Sequence, residues 1–362
     1  MQDMTNSEKL TNLISQKYFL KQYIYSDLYV KEGREEKEFC DCLLEFDNIY
    51  VCIQIKERND AADGSAYKWF RKKVLKTAKD QIKDTFSFFE NSENVIFSKT
   101  SDFDINRNKT IIPVIVFLNS KLTKYDRIVY SRSLDAHINI FSYADFEIML
   151  KTVVMPRDIL HYLMYRSVFK PNDDGKIIFD EVNDDLTIIT RLHKEADYAE
   201  LFLARTYYSE IRKNAINESA ITFYNTIIES INETNGYKRC SFIEGFLRTN
   251  YIGAARIAKK WEELVIATKE ERFVAPFWIS TDERLYIFAV HPHTMSDEEY
   301  NYRINLCVAY RKYKEGYKFV HLLTFQNEIA DQYSVSLADA NLEEGFPYES
   351  LLEDALKLFG GD

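Results

Sequence analysis

Glycine is scarce in this chain, 10 residues in 362, and neither G-x-x-x-x-G-K-[ST] nor G-x-G-x-x-G occurs. Nucleotide binding by the usual glycine loops is therefore excluded. Proline is scarcer still, at 6 residues, and the two low counts together exclude collagen-like and low-complexity disordered sequence. Cysteine is limited to 5 residues, at 40, 42, 52, 240 and 307, with no C-x-x-C. An odd number without paired spacing argues against a disulfide framework or a zinc ribbon, so reduced core thiols in a cytoplasmic protein are expected. Long apolar runs are also missing. The longest, Ile111 to Leu118, is far below the ~20 residues a membrane span needs. The polar N-terminus has no signal-peptide core, so no membrane partner is expected. Positive charge is in deficit: 47 Lys and Arg against 57 Asp and Glu, net −10. The molecule as a whole does not coat nucleic acid, and any such contact must come from a local patch.

Apolar and aromatic residues are plentiful, 46% hydrophobic with 25 Tyr, 25 Phe and 3 Trp, enough for real cores. A length of 362 residues suits two domains. The segment Pro171 to Gly175, rich in Pro, Asn, Asp and Gly, divides them into 1–169 and 170–362. The first reads α-β-β-β-α-β-β-α: a helix over 5–22, a strand over Tyr23–Val30, a turn at Gly33, a hairpin, a helix over Tyr67–Phe89, strands over Ile111–Leu118 and His137–Phe141, and helices over Tyr143–Lys151 and Arg157–Phe169. Pro113 suggests an edge position, or the first residues, for its strand. The second domain reads as mostly helical α+β, with helices over 192–211, 221–231, 252–267, 297–313 and 351–359 and strands over 285–291 and 319–325.

The chemistry concentrates in Phe39 to Arg58, F-C-D-C-L-L-E-F-D-N-I-Y-V-C-I-Q-I-K-E-R. Asp47-Asn48 makes a two-residue turn, since both residues tolerate positive φ. With Phe46 opposite Ile49, paired positions add up to about 95 in an antiparallel ladder, so Asp41 faces Gln54 and Lys56 lies diagonal to it on the same face. Cys40 and Cys42 fall on the face opposite Cys52. The arms are otherwise apolar, so a carboxylate, an amide and an ammonium there are costly without a partner or a task. By the same alternation Glu38 falls on the wrong face, and Glu45, on the right face, is ~13 Å away.

The following helix has Phe70, Val74, Ala78, Ile82 and Phe86 on one side. Its other side is basic, with Lys68, Arg71, Lys72, Lys73, Lys76, Lys79 and Lys83. By itself this is a solvated helix face. Gln81 borders the apolar stripe and is equally an ordinary boundary residue. Thr5-x-x-Glu8 fits a capping box.

Asp41, Gln54-x-Lys56, the hairpin joining them and the element order resemble the PD-(D/E)xK, or restriction-endonuclease-like, nucleases over about the first 165 residues. The resemblance implies an α/β αβββαβ core and phosphodiester hydrolysis with Mg²⁺ or Mn²⁺. Asp41, Gln54, the Ile55 carbonyl and Glu8 become candidate metal ligands, and Lys56 becomes the residue that orients water and meets developing charge. It makes Lys68, Lys72, Lys76, Lys79, Gln81 and Lys83 a nucleic-acid contact, with DNA the expected substrate and restriction or anti-phage defence the expected role. The C-terminal domain would serve specificity, a protein partner, self-association or regulation. Gln54 stands where the family usually has an acid. A catalytically silent nuclease fold acting as a binding or assembly scaffold is therefore the alternative reading. His291-Pro-His293 is a weaker metal pair, more simply structural. His161, His193, Ser65 and Ser101 form no nucleophile pattern.

Overall fold

The computed structural model describes residues 5–19, 21–32, 35–62, 64–100, 102–168, 176–179, 188–191, 194–211, 248–281, 284–327 and 333–359. The chain divides into two compact units, residues 1–215 with 225–238, and residues 216–224 with 239–362. Both are mixed α/β.

The first unit is built on a six-stranded sheet. Its centre is the hairpin of β4 (Cys42–Phe46) and β5 (Ile49–Glu57), whose ladder sets Cys42 against Ile53 and Phe46 against Ile49. Asp47 in the turn takes φ 50°, the positive value such a tight turn demands. Parallel to β5 runs β7 (Thr110–Leu118), and parallel to that β9 (Ala136–Ser142). The short strands β1 (Ile24–Tyr25) and β8 (Ile128–Ser131) close the edges, antiparallel to β4 and β9. Such a centre is covered on both faces, which is why β5 and β7 read as continuous apolar runs instead of alternating.

The strand expected over 23–30 is broken at Ser26-Asp27. Its second half, β2 (Leu28–Glu32), leaves the main sheet to join β3 (Glu35–Glu38) and β6 (Val95–Ser98). Asp27 holds the kink by accepting hydrogen bonds from Ser98 Oγ and from the Lys99 and Thr100 N–H groups at 2.7–3.0 Å. Gly33 lies outside the described residues. Pro113 occupies a central strand, not an edge. It is tolerated because pairing with β9 starts at Val114, so on that flank Pro113 has no ladder to donate to.

One face is covered by a continuous helical run: α2 (Ala66–Trp69), a π segment (Phe70–Ala78) and α3 (Lys79–Glu90). Residues spaced by four drift about 40° per step around a 3.6-residue helix. The wider π turn takes up that drift, so Phe70, Val74, Ala78 and Ile82 are all fully buried against Ile115, Phe117, Ile138 and Ile140. The opposite face carries α1 (Asn6–Ser15) and α4 (Tyr143–Val153), where Phe146 packs edge-on to Phe141. The α5 helix (Pro156–Tyr165), the antiparallel pair β10 (Lys176–Phe179) and β11 (Ile188–Arg191), and α6 (Glu195–Ile211) complete the unit. Glu195, on α6, is buried with Arg166 at 2.8 Å and also pairs with Arg127. These bonds carry the unit past the expected division at 169/170.

In the second unit, strands β12 (Phe277–Thr281), β13 (Arg284–Val290), β14 (Phe319–Asn327) and β15 (Tyr333–Asn341) form one sheet, with β13 and β14 parallel. Helices α7 (Tyr251–Lys269), α8 (Asp297–Glu315) and α9 (Tyr348–Phe359) accompany it. Tyr300, Ile304, Cys307 and Val308 of α8 pack on Leu285, Ile287 and Ala289. The sequence did not signal β12 and β15. The expected helix over 221–231 lies outside the described residues, as do His193 and Cys240. No helix among the described residues is long and apolar enough to cross a membrane.

Candidate functional site

The β4–β5 ladder ends at Cys42 opposite Ile53, one residue short of Asp41, where the chain bends, so the expected pairing of Asp41 with Gln54 is not made. A continued ladder would offer the Ile55 N–H to Cys40. The Asp41 carboxylate takes it instead, at 2.5 Å. The Ile55 carbonyl, freed by the same ending, accepts the Lys56 ammonium at 2.8 Å, and Lys56 Nζ lies 3.5 Å from Asp41 Oδ2. The expected diagonal of Asp41 and Lys56 is thus present. The bend also corrects one expectation. Cys40 shares the core cluster of Leu43 and Cys52 instead of lying on the far face, because alternation fails at the bend. The described cysteines, Cys40, Cys42, Cys52 and Cys307, are free and buried.

Gln54 is 3% exposed, and its side-chain oxygen has no hydrogen-bond donor. A buried amide oxygen without a donor costs about 1–3 kcal/mol. Gln81, half-buried on α3, leaves its amide oxygen in the same condition. One turn further on, Thr85 donates to the Phe39 carbonyl at 2.6 Å, which fixes this stretch of α3 against the segment leading into Asp41.

Burial pushes the Asp41 carboxyl above its ordinary pKa, against the pull of the Lys56 ammonium and the Ile55 N–H; the Glu8 charge pushes the same way as burial. Glu8 closes the expected capping box, with its carboxylate 2.7 Å from the Thr5 N–H, while its field reaches Asp41. Glu38 is the residue that alternation missed. It is exposed overall, yet protein crowding of its carboxyl, then the charges of Asp41 and Glu8, push it up to about 7. The adjacent apolar pair Phe39-Cys40 was the available signal, since two consecutive buried residues break a period of two. Glu45 is engaged elsewhere, 2.7 Å from Lys109 and 3.0 Å from the Tyr25 hydroxyl.

On the helical run, Lys68, Arg71, Lys72, Lys73 and Lys76 are exposed and Lys79 is half-buried, none with a carboxylate at ion-pair distance among the described residues. Lys83 is committed to Asp80 at 2.9 Å. The wide π turn that keeps the apolar positions in line also aligns Lys68, Lys72 and Lys76, which share their spacing of four.

Among the described residues no three His, Cys, Asp or Glu side chains gather to hold an ion. The donor set here is Asp41, the Gln54 amide oxygen and the Ile55 carbonyl, hard oxygens of the kind Mg²⁺ takes with retained waters. His291 and His293 do not converge. His291 Nδ1 pairs with the Gln326 amide at 3.0 Å, whereas His293 Nε2 pairs with the Asn327 carbonyl at 2.8 Å.

No protein-family model, curated protein or solved structure matches this chain.

Proposed function

We propose that the chain is a divalent-metal-dependent nuclease whose first unit is a PD-(D/E)xK-like domain, with Asp41, Gln54, Ile55 and Lys56 at its centre. The observation that carries this reading is the orphaned, buried Gln54 oxygen, two residues from Lys56 on β5, together with the contact of Lys56 with the buried Asp41. Mg²⁺ or Mn²⁺ held by Asp41, Gln54 and the Ile55 carbonyl would satisfy that oxygen and supply Lewis acidity toward a phosphate. Lys56 is the site's own cation, suited to neutralise charge that builds on a phosphoryl oxygen. Glu8 and Glu38 add negative field, which favours a divalent ion over a second lysine. The row Lys68, Lys72 and Lys76 supplies sequence-independent phosphate contacts. DNA as substrate and a role in restriction or anti-phage defence follow from the resemblance alone, as does a specificity or partner-binding role for the second unit.

One observation favours a silent scaffold: Lys56 already bridges Ile55 and Asp41, where a second acid is lacking. Incubating the full chain with plasmid and single-stranded DNA, with Mn²⁺, Mg²⁺ or EDTA, separates the two readings. Divalent-dependent cleavage lost in both Asp41→Ala and Lys56→Ala supports the nuclease. Cleavage that survives both changes refutes the site. Binding without cleavage or divalent uptake supports the scaffold.

A further inference from the structure

A cavity of about 720 Å³ opens at the carboxyl ends of β5, β7 and β9. Its size falls in the range of small-molecule pockets. Its place is the crevice where parallel strands hand their helices to opposite faces, α3 to one and α4 to the other, the usual ligand position of open α/β sheets.

The wall is rich in acceptors. Glu57, Asp60 and Asp145 line it, none with a cation at ion-pair distance among the described residues. Glu57 accepts from the Ser7 N–H at 3.0 Å, Asp60 from Asn119 and Ser120, and Asp145 from Tyr125 and Ser142. Arg58, the wall's one cation, donates from Nη2 to the carbonyls of Ala62 and Gly64, at 3.1 and 2.8 Å. Asn119 is 6% exposed. Its amide nitrogen donates to Asp60 at 3.0 Å, which fixes the orientation of the amide and leaves the oxygen with no donor. Three carboxylates against the one Arg58 leave the wall net negative, which disfavours phosphate, and the Asn119 oxygen is open to an N–H group of the kind the amino edges of bases present. Tyr143, half-buried in the wall, adds a ring on which a base can stack.

The cavity continues from the candidate site. Phe117 pairs in register with Lys56 and belongs to the cavity wall, a strand spacing of ~4.8 Å away. Phe117 and Tyr125 also pack on Phe70, with centroids at 5.2 and 6.0 Å, so the basic helical run begins beside the same wall. Cations thus border an acceptor-lined hollow, an arrangement that sorts backbone from base.

We propose that this cavity receives an unstacked base of the bound strand, which makes single-stranded or locally opened nucleic acid the substrate class. The proposal rests on the nuclease reading, because it lays the strand across Lys56.

Fluorescence anisotropy tests it, with the full chain in EDTA, a labelled single-stranded oligonucleotide, its blunt duplex, and single strands carrying abasic positions. Ala144, exposed on the first turn of α4, lines the cavity. Ala144→Trp fills the space, and Ala144→Ser is the neutral control, each checked for an unchanged melting temperature. The expected result is single-strand binding about tenfold or more tighter than duplex. That preference should be lost in Ala144→Trp and weakened by one abasic position, but kept in Ala144→Ser. Equal single-strand binding by Ala144→Trp, or no strand preference in the wild type, overturns the cavity proposal, and metal-dependent cleavage then decides the nuclease reading separately. Absence of binding to any nucleic acid, together with absence of cleavage, overturns both.

Discussion

Lys56 Nζ lies 3.5 Å from Asp41 Oδ2, with the carboxylate buried and the lysine half-buried. Breaking such a pair leaves an uncompensated buried charge, so chemistry and stability are linked here. Asp41→Asn keeps shape and removes charge. We expect it to abolish divalent-dependent cleavage, by at least about 100-fold, and to remove any rise in melting temperature on Mn²⁺ addition. Lys56→Arg should not restore activity, because a planar guanidinium does not replace a compact ammonium. Cleavage assays with parallel thermal melts check this.

Gln54→Glu should invert the stability of the site. Without divalent ions it places a second carboxylate in a position 3% exposed, costing about 2 kcal/mol or more at pH 8. With Mn²⁺ the loss should be reversed and apparent affinity for the ion should rise about tenfold. Gln54→Leu should fold stably and lose the ion response. Denaturant melts with and without Mn²⁺ distinguish these outcomes.

Glu38 supplies a pH signature. Its carboxyl is raised to about 7 in the folded chain, whereas an unfolded glutamate titrates near 4.3. The folded state therefore binds the extra proton between those values, and stability is lost as pH climbs from about 4.5 to 7. Glu38→Gln should stabilise the protein more at pH 8 than at pH 5, and flatten the pH dependence of its melting temperature. A variant whose gain is the same at both pH values would contradict the assignment.

Lys72→Ala with Lys76→Ala removes two cations that have no carboxylate partner among the described residues. Melting temperature should be unchanged, while nucleic-acid affinity should fall and the log–log salt slope should decrease by about 1.4 to 1.8. Salt titrations of binding measure this. An unaltered slope would mean that the helix face does not touch phosphate.

Glu195→Ala tests where the first unit ends. Glu195 meets Arg166 and Arg127 and accepts from the Tyr162 hydroxyl at 2.5 Å, and with Arg166 it is buried. Removing it should destabilise the first unit by about 3–5 kcal/mol. A change of a few tenths in denaturant unfolding would separate α6 from that unit.

The elements read most directly were those whose period and punctuation agree. The β4–β5 register followed from Asp47-Asn48 and the parity of the arms, since a one-residue slip would reverse every buried side chain. The long helical run followed from apolar positions spaced by four, although that spacing left the π turn unread. The elements that were missed lacked local signals. β6 and β8 are four residues each and owe their pairing to distant partners. Glu38 was lost because alternation was carried through a bend. Glu195 seemed to belong beyond a linker because its partners, Arg127 and Arg166, lie 68 and 29 residues earlier.

By itself the amino-acid order determined the hairpin, its register from Cys42–Ile53 to Phe46–Ile49 and the basic helix face, because each depends on a short-range period that backbone geometry enforces. The fold decided the rest. It ended the ladder at Asp41, leaving the Ile55 carbonyl to Lys56. It brought Glu8 and Glu38 into the field of Asp41, and it assembled a hollow from the ends of three strands. Glu8 and the strand ends meet from far along the chain, and even the short steps, Glu38 to Asp41 and Ile55 to Lys56, depend on a bend whose energy comes from shared burial and not from a local period.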